Sequence, residues 1–347
     1  MKGIILHGGH GTRLRPLTHT GPKQLLPIAN KPMSQYALED LKNVGICDIA
    51  IIIGDIYPEK VKEYYGDGKQ FGVNITYIYQ EKPRGISHAI RLCKEFVGND
   101  KFIVYLGDNV LRKNLDDYSK KFSSSSLDAM ILLCEVDNPS KFGVAYIDNE
   151  DPLKIKNIIE KPKNPTSNLA VTGIYLLTPL IFEVIDNLKP SWRNELEITD
   201  ALDNLLKQND NISYETITDY WKDTGTPEDI LNANRQVLEH ICGTADSIVD
   251  ESSMIFDDMH LRRFCIIGKN CKIDESADVG PHVSIGDDTI ISSDVVIENS
   301  IIMSGCKIDG GLNIKDSIIS ANCHLHGNNK DKTKKIFLLG EGTKITL

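Results

Sequence analysis

The sequence predicts two folds in one chain: an α/β unit on a mostly parallel sheet, then a β-helix of short stacked strands. Three observations predict it. The first two-thirds alternates apolar, β-branched runs with segments whose apolar residues recur at helical spacing. A glycine-rich turn follows the first run, and such sheets bind ligands outside the carboxyl ends of their strands. The remainder of the chain carries aliphatic residues at every sixth position, which fits neither a 3.6-residue helix nor one alternating strand.

Lys2–Leu6 reads as the first strand, and the glycine-rich turn follows it. Gln35–Val44 sets Tyr36, Leu38, Leu41 and Val44 on one helix face. Asp48–Ile53 is a strand, Pro58–Tyr65 a short helix and Asn74–Tyr79 a strand. Ile86–Val97 returns to helix and Lys101–Leu106 to strand. Thr226-Pro227-Glu228-Asp229 reads as N-cap, first-turn proline and acidic first turn of a helix running to about His240.

From Ile255 the period becomes six: Ile255, Leu261, Ile267, Ile273, Val279, Ile285, Ile291 and Ile297. A second inward series comprises Cys265, Cys271, Ala277, Val283, Thr289, Val295 and Ile301. Each short strand would stack on the strand one coil above. The rhythm shifts after Met303 and resumes near Ile308 and Ile314, and the lysine-rich stretch from Lys330 is expected to cap the open end. The change of period sets the expected division: residues 1–240, a linker over 241–252, and 253–347.

The length, 347 residues, supports two domains at roughly 150 residues each. Forty-nine acidic against 39 basic side chains leave a charge of −10, which argues against a broad basic face for nucleic acid. Apolar runs such as Ile49–Ile53 are far too short to cross a membrane, and Met1–Leu6 lacks the look of a secretory signal. Eight cysteines without a C-x-x-C pair read as reduced core residues. A cytoplasmic chain, bound to neither nucleic acid nor membrane, is expected.

The turn itself is Leu6-His7-Gly8-Gly9-His10-Gly11-Thr12-Arg13-Leu14. Glycines 8, 9 and 11 let backbone N–H groups approach a phosphate or a base edge. It is neither a P-loop nor G-x-G-x-x-G. It continues Arg15-Pro16-Leu17-Thr18, then Pro22-Lys23-Gln24-Leu25-Leu26-Pro27-Ile28. Further blocks follow in order: Gln80 with Pro83 and Gly85, Leu106-Gly107-Asp108-Asn109, Phe142-Gly143-Val144 and Glu160-Lys161-Pro162. Val171-Thr172-Gly173-Ile174-Tyr175, Glu195-Leu196-Glu197-Ile198-Thr199-Asp200 and Trp221-Lys222-Asp223-Thr224-Gly225 complete the set. In these blocks the sequence resembles the sugar-1-phosphate nucleotidylyltransferases. The Pro-Lys-Gln-Leu-Leu-Pro-Ile version is most similar to their glucose-1-phosphate thymidylyltransferase branch.

The resemblance implies a Rossmann-like nucleotidyltransferase domain followed by a left-handed hexapeptide β-helix. It implies transfer of a nucleotidyl group from dTTP to glucose 1-phosphate with Mg2+, the sugar phosphate attacking the α-phosphorus directly. An anionic nucleophile needs no Ser, Cys or His, so positioning and charge neutralisation carry the expected catalysis. By the same resemblance Asp108 and Asp223 are the magnesium ligands, Arg13 holds the triphosphate and Lys23 the α-phosphate. Leu6, Gly8, Gly9, Gly11, Thr12, Gln80, Pro83 and Gly85 are the remaining nucleotide-binding residues. Asn109, Gly143, Glu160, Lys161, Val171, Thr172 and Trp221 are assigned to the sugar phosphate, while Tyr175 and Glu197 serve either structure or site.

Three matters stay open at this level. His7 stands where the family usually has alanine, and it either packs or touches base or ribose. UTP or N-acetylglucosamine 1-phosphate is the alternative substrate, since thymine and uracil differ by one methyl worth ~1–3 kcal/mol. The β-helix either builds a homo-oligomer or carries acetyl transfer near His324 and His326. If it serves assembly alone, truncation near residue 245 preserves nucleotidyl transfer.

Overall fold

The computed structural model describes residues 1–208, 211–255, 260–328 and 333–347. They form two compact units, Met1–Gly9 with Ser34–Asp223, and His10–Met33 with Thr224–Leu347. Among the described residues no helix is long and apolar enough to cross a membrane.

In the first unit Lys2–His7 lies at the centre of a nine-stranded sheet, parallel to Asp48–Ile53 on one side and Phe102–Leu106 on the other. Ile4, Ile5, Ile51, Val104 and Tyr105 are fully buried, as expected of parallel strands covered on both faces. Asn74–Tyr79 extends the parallel half. Leu169–Leu177 runs antiparallel beside Phe102–Leu106, and the Gly143–Ile147 and Ile155–Glu160 hairpin lies beyond it. The single helix expected over Ile86–Val97 breaks at Cys93 into Ile86–Leu92 and Lys94–Val97, because Cys93 takes φ −88°, ψ 2°. A separate ribbon pairs Trp221–Asp223 with Asn109–Leu111 and sets Asp223 opposite Asn109.

The second unit begins with His10–Met33 and resumes at the helix Pro227–Cys242. That helix has the capping box expected of its sequence: Asp229 N–H donates to Thr226 Oγ1 at 3.2 Å, and Thr226 N–H to Asp229 Oδ2 at 3.0 Å. Beyond it, parallel strands stack into three sheets of six, six and five strands among the described residues, an arrangement consistent with a left-handed β-helix. Cys265 pairs with Val283, Lys272 with Ile290 and Asp278 with Val296, each eighteen residues on, three times the six-residue period. Corners are turned by Asn270, Asp288 and Asn322 at φ 53°, 57° and 59°, a left-handed conformation that short Asx side chains tolerate.

Three expectations are corrected here. The rhythm shifts before Met303, not after it: Ser284 pairs with Ile301, seventeen residues on, so one residue is lost at the corner around Asn299. Ile301 consequently shares a register position with Ser284, between the inward Val283 and Ile285, and leaves the inward series, although it is fully buried. In place of a cap, the described residues 333–347 continue the stack. Lys334–Lys335, Leu338–Leu339 and Lys344–Thr346 pair with the three preceding strands and add another coil, since those strands offer unpaired backbone groups. Lys330 itself lies outside the described residues.

The linker drawn over 241–252 contains a β-helix strand, Ser247–Val249, paired with Cys265–Ile267. Packing also groups the helix Pro227–Cys242 with the β-helix: its Asn234, 1% exposed, accepts from the Ser284 hydroxyl at 2.7 Å. All eight cysteines are unpaired thiols. His324 and His326 both contact Asp309 of the previous coil, His324 at 3.3 Å.

Inward and outward positions should differ sharply in cost. Ile297→Ala, at a fully buried position, should destabilise by about 2–5 kcal/mol through cavity formation, and Ile290→Ala, 39% exposed, by less than about 1 kcal/mol. Denaturant midpoints of the two variants at equal slope test this, and equal shifts would refute the inward assignment.

Candidate active site

One cavity opens at the strand ends of the first unit, and it collects Asp108, Asn109, Gly143, Glu160, Lys161, Val171, Thr172, Trp221 and Asp223. Tyr175 and Glu197 line it as well. Asp108 reaches it because Gly107 continues the strand Phe102–Leu106, with Gly107 N–H donating to Leu6 O at 3.0 Å. Asp223 reaches it through the ribbon pairing that sets it across from Asn109.

A chain of hydrogen bonds holds Asp108. Trp221 Nε1 donates to Asn109 Oδ1 at 2.7 Å, and Asn109 Nδ2 donates to Asp108 Oδ1 at 2.9 Å. Trp221 and Asn109 thus spend these groups in positioning a carboxylate while they line the cavity. Thr172 likewise commits its hydroxyl, to Leu132 O at 2.8 Å. At Gly143 a Cβ would collide with Thr199 Cγ2, and at Gly173 it would stand 2.8 Å from Asn109 Nδ2. Both glycines keep the wall thin.

Another part of the lining is a charge network. Glu160 Oε2 accepts from Thr199 Oγ1 at 3.0 Å, and Glu160 Oε1 meets Arg193 Nη1 at 3.3 Å and Lys161 Nζ at 3.4 Å. Arg193 also reaches Glu195 at 3.2 Å and Glu197 at 3.4 Å. Glu197 accepts from Ser191 Oγ at 2.8 Å. The lining holds five carboxylates (Asp108, Glu160, Glu195, Glu197, Asp223) and three cations (Lys141, Lys161, Arg193), so acid predominates. Burial, then Glu197 and Glu160, raise the Asp200 carboxyl above its ordinary range. Burial, with Glu160 and Asp108 adding, does the same to the Tyr175 phenol and keeps it neutral. Sequence reading missed Arg193 and Lys141: a lone arginine in Trp192-Arg193-Asn194 has no spacing that separates it from a solvated charge.

The other candidates do not line this cavity. Leu6 is buried in the central strand, Pro83 is exposed, and Gly9 takes φ 91°. A Cβ on Gly8 would stand 4.0 Å from Gln80 Oε1. Gln80 Nε2 lies 2.9 Å from His88 Nδ1 and 3.4 Å from Gly85 O. The Gly85 carbonyl can only accept, so the amide nitrogen of Gln80 faces it, and His88 Nδ1 lies beside that same nitrogen. His88 carried no motif signal. Gly85 has φ 98° and packs where a Cβ would strike Leu196 O, so its glycine is required by backbone packing.

Gly11, Thr12, Arg13 and Lys23 belong to the second unit. Gly11 takes φ 57°, and a Cβ there would stand 2.9 Å from Thr18 Cγ2 and 3.3 Å from Lys23 Cβ. Thr18 Oγ1 donates to Gly11 O at 2.9 Å, and Leu14 N–H to the same oxygen at 2.9 Å. Arg13 sits in the 3-10 turn Thr12–Leu14, and Lys23 is 8% exposed. The motif is one packed knot.

His7 packs. It is 5% exposed, stands edge-on to Tyr65 at 6.0 Å, and neither ring nitrogen has a partner among the described residues. Burial pushes its imidazole down to about 3, with the Asp108 charge acting in the opposite direction.

A cavity whose lining carries five carboxylates, two lysines and an arginine has the charged donors and acceptors that a small charged ligand would need. The family model for Nucleotidyl transferase matches residues 2–240, and the chain belongs to that family. The model described as GMPPB C-terminal domain matches residues 261–346. The low-salt glycan biosynthesis nucleotidyltransferase Agl11 of Haloferax volcanii is 50% identical over 239 residues, 69% of this chain and 66% of that protein. A glucose-1-phosphate thymidylyltransferase of Streptomyces griseus is 44% identical over 253 residues, 73% of this chain and 70% of that protein. A solved structure of UDP-glucose pyrophosphorylase complexed with UDP-glucose is similar at a TM-score of 0.62 and 29% identity, covering 69% of this chain and 98% of that one.

The buried His7 makes stability acid-sensitive. Its folded pKa is depressed, so the unfolded chain binds the extra proton between pH 6.5 and about 3, and stability falls as pH drops through that window. Between pH 7 and pH 5 the chain should lose about 2 kcal/mol more than His7→Ala does. Urea unfolding of both proteins at the two pH values checks this, and parallel losses would rule it out.

Proposed function

We propose that the chain transfers a nucleotidyl group from a nucleoside triphosphate to a sugar 1-phosphate and releases pyrophosphate, with dTTP and glucose 1-phosphate as the pair and dTDP-glucose as the product. The observation that carries this reading is the cavity that joins Asp108 and Asp223 to the Glu160–Lys161–Arg193 wall. Membership of the nucleotidyl transferase family and the likeness to a thymidylyltransferase support it.

A sugar-phosphate oxygen forms a bond to the α-phosphorus, the α–β bridging bond breaks, and its electron pair leaves with pyrophosphate. The nucleophile is already ionised, so the residues have to position two polyanions and offset their charge. Glu160, oriented by Thr199 and Arg193, is placed to accept hydrogen bonds from sugar hydroxyls. Lys161 offers its ammonium to the sugar phosphate. Arg13 matches triphosphate oxygens with its fork, and Lys23 places a compact charge at the α-phosphate.

The donor set fits magnesium. Two carboxylates, one held by Asn109, stand in a cavity whose lining is already acidic, and oxygen ligands suit this ion. Substrate phosphates would complete the coordination, since magnesium is commonly bound by one or two carboxylates together with them. Asp108 and Asp223 would hold Mg2+, which when bound supplies charge neutralisation at the phosphates. Gln80, its amide beside His88, is the reader of the pyrimidine edge. That edge is shared by uracil, and the likeness to a UDP-glucose pyrophosphorylase supports UTP as the second reading.

Pyrophosphate release measured over a matrix of nucleoside triphosphates and sugar 1-phosphates should be greatest with dTTP and glucose 1-phosphate. Dominant turnover of UTP would overturn the thymidylyl assignment. Arg13→Ala and Asp223→Asn should each lower kcat by about 10²–10³, the scale of one preorganised charge contact. Unaltered turnover in either would remove that residue from the site.

A further inference from the structure

We propose that the β-helix is a structural part of the nucleotide site: Asn234 and two coils of the β-helix clamp the segment His10–Met33 that carries Arg13 and Lys23. The inference rests on the role assigned to those two cations under the proposed function, and it opposes the expectation that truncation near residue 245 leaves transfer intact.

The clamp has three anchors, all inside the second unit. The carboxamide oxygen of Asn234 accepts two hydrogen bonds, from Ala29 N–H at 2.8 Å and from the Ser284 hydroxyl at 2.7 Å. Asn30 Nδ2 donates to Ile285 O at 2.6 Å. At the last coil, a Cβ added to Gly340 would stand 3.3 Å from both Pro16 Cβ and Pro16 O, so the segment lies directly on that corner. One oxygen of a helix residue therefore ties the segment to a β-helix strand, and a second tie lies three coils further on.

The anchored turn resists relaxation only while it is held. Ala29 and Asn30 take φ 48° and 61°, two consecutive left-handed residues between the short strands Pro27–Ile28 and Lys31–Pro32. Two-residue hairpins of this kind ordinarily use Asn-Gly, and a Cβ at the first position is disfavoured. With Asn234 removed, Ala29 N–H would lose its acceptor and the turn its restraint. The movement would reach the cations, because Leu26 N–H donates to Lys23 O at 3.0 Å and Gly11 packs directly on Thr18 and Lys23. Pro16 and Ala29 bracket Lys23 in sequence, so the two sites of anchorage fix the stretch between them.

A positioning role predicts a split between the two substrates, because the residues assigned to the sugar phosphate belong to the first unit. The test uses the full chain, with dTTP and glucose 1-phosphate varied separately, well below the melting temperature of every variant. Asn234→Ala should raise the KM for dTTP about tenfold, within the loss that an ångström of misplacement can cause, and leave the KM for glucose 1-phosphate within about twofold. Asn234→Asp keeps the accepting oxygen and should recover most of the loss. Gly340→Val, which crowds Pro16 from the last coil, should shift the dTTP KM in the same direction. Ile297→Ala, a destabilised β-helix without a clamp defect, should shift neither KM. An unchanged dTTP KM in Asn234→Ala and Gly340→Val, or an equal rise in both KM values, would overturn the proposal. So would a dTTP KM raised as far by Ile297→Ala. Absence of pyrophosphate release by the unaltered chain with every substrate pair would instead sink the functional reading on which the clamp rests.

Discussion

Charge gathered at the end of a sheet has to be compensated where it stands, and the cavity of the first unit is organised around that constraint. Five carboxylates line it against three cations. Removing water from such a group without pairing it is costly, and Asp108, Glu160, Glu195 and Glu197 each have a hydrogen-bond or ion-pair partner. Asp108 is held through Asn109 by the Trp221 indole, and Glu160 by Thr199, Arg193 and Lys161. Even the glycines serve this arrangement: Gly173 leaves room for the Asn109 amide that orients Asp108. The excess of acid that remains is what a divalent cation and the cationic side chains of the chain would offset.

Compensation by position also explains how an acidic chain handles phosphates. A net charge of −10 describes the whole surface. Under the proposed function, polyphosphate binding would depend on a few cations held in fixed places, since preorganised charge acts without reorganisation. Arg13 and Lys23 are held in a knot around Gly11, whose absent side chain lets Thr18 and Lys23 close on the backbone. The β-helix supplies a face of stacked strands, on which the helix residue Asn234 meets Ser284 and the strained turn meets Ile285, while Ala29 bonds to Asn234 itself.

His7 shows what the same packing costs elsewhere. It occupies the carboxyl end of the central strand, is buried against Tyr65 and has no hydrogen-bond partner among the described residues. Its neutral form is imposed by desolvation alone. Such a group contributes packing area while it stays uncharged and becomes a liability in acid.

The amino-acid sequence by itself determined the two periods, and with them the parallel strands Lys2–Leu6, Asp48–Ile53 and Asn74–Tyr79, the Thr226 cap and the stacked coils. These are local or strictly periodic properties: alternation, capping chemistry and a six-residue repeat are written in adjacent residues. It also supplied the ordered blocks whose acids and glycines meet in the cavity. Only the tertiary structure decided that Arg193 joins Glu160, that His88 meets Gln80, and that Ile301 leaves the inward row after one residue is dropped at Asn299. Only the tertiary structure, too, grouped His10–Met33 and the helix Pro227–Cys242 with the β-helix. The bonds responsible join Ala29 to Asn234 and Asn30 to Ile285, across 205 and 255 residues. Neither periodicity nor local propensity encodes such pairings, because they depend on where separate elements come to rest.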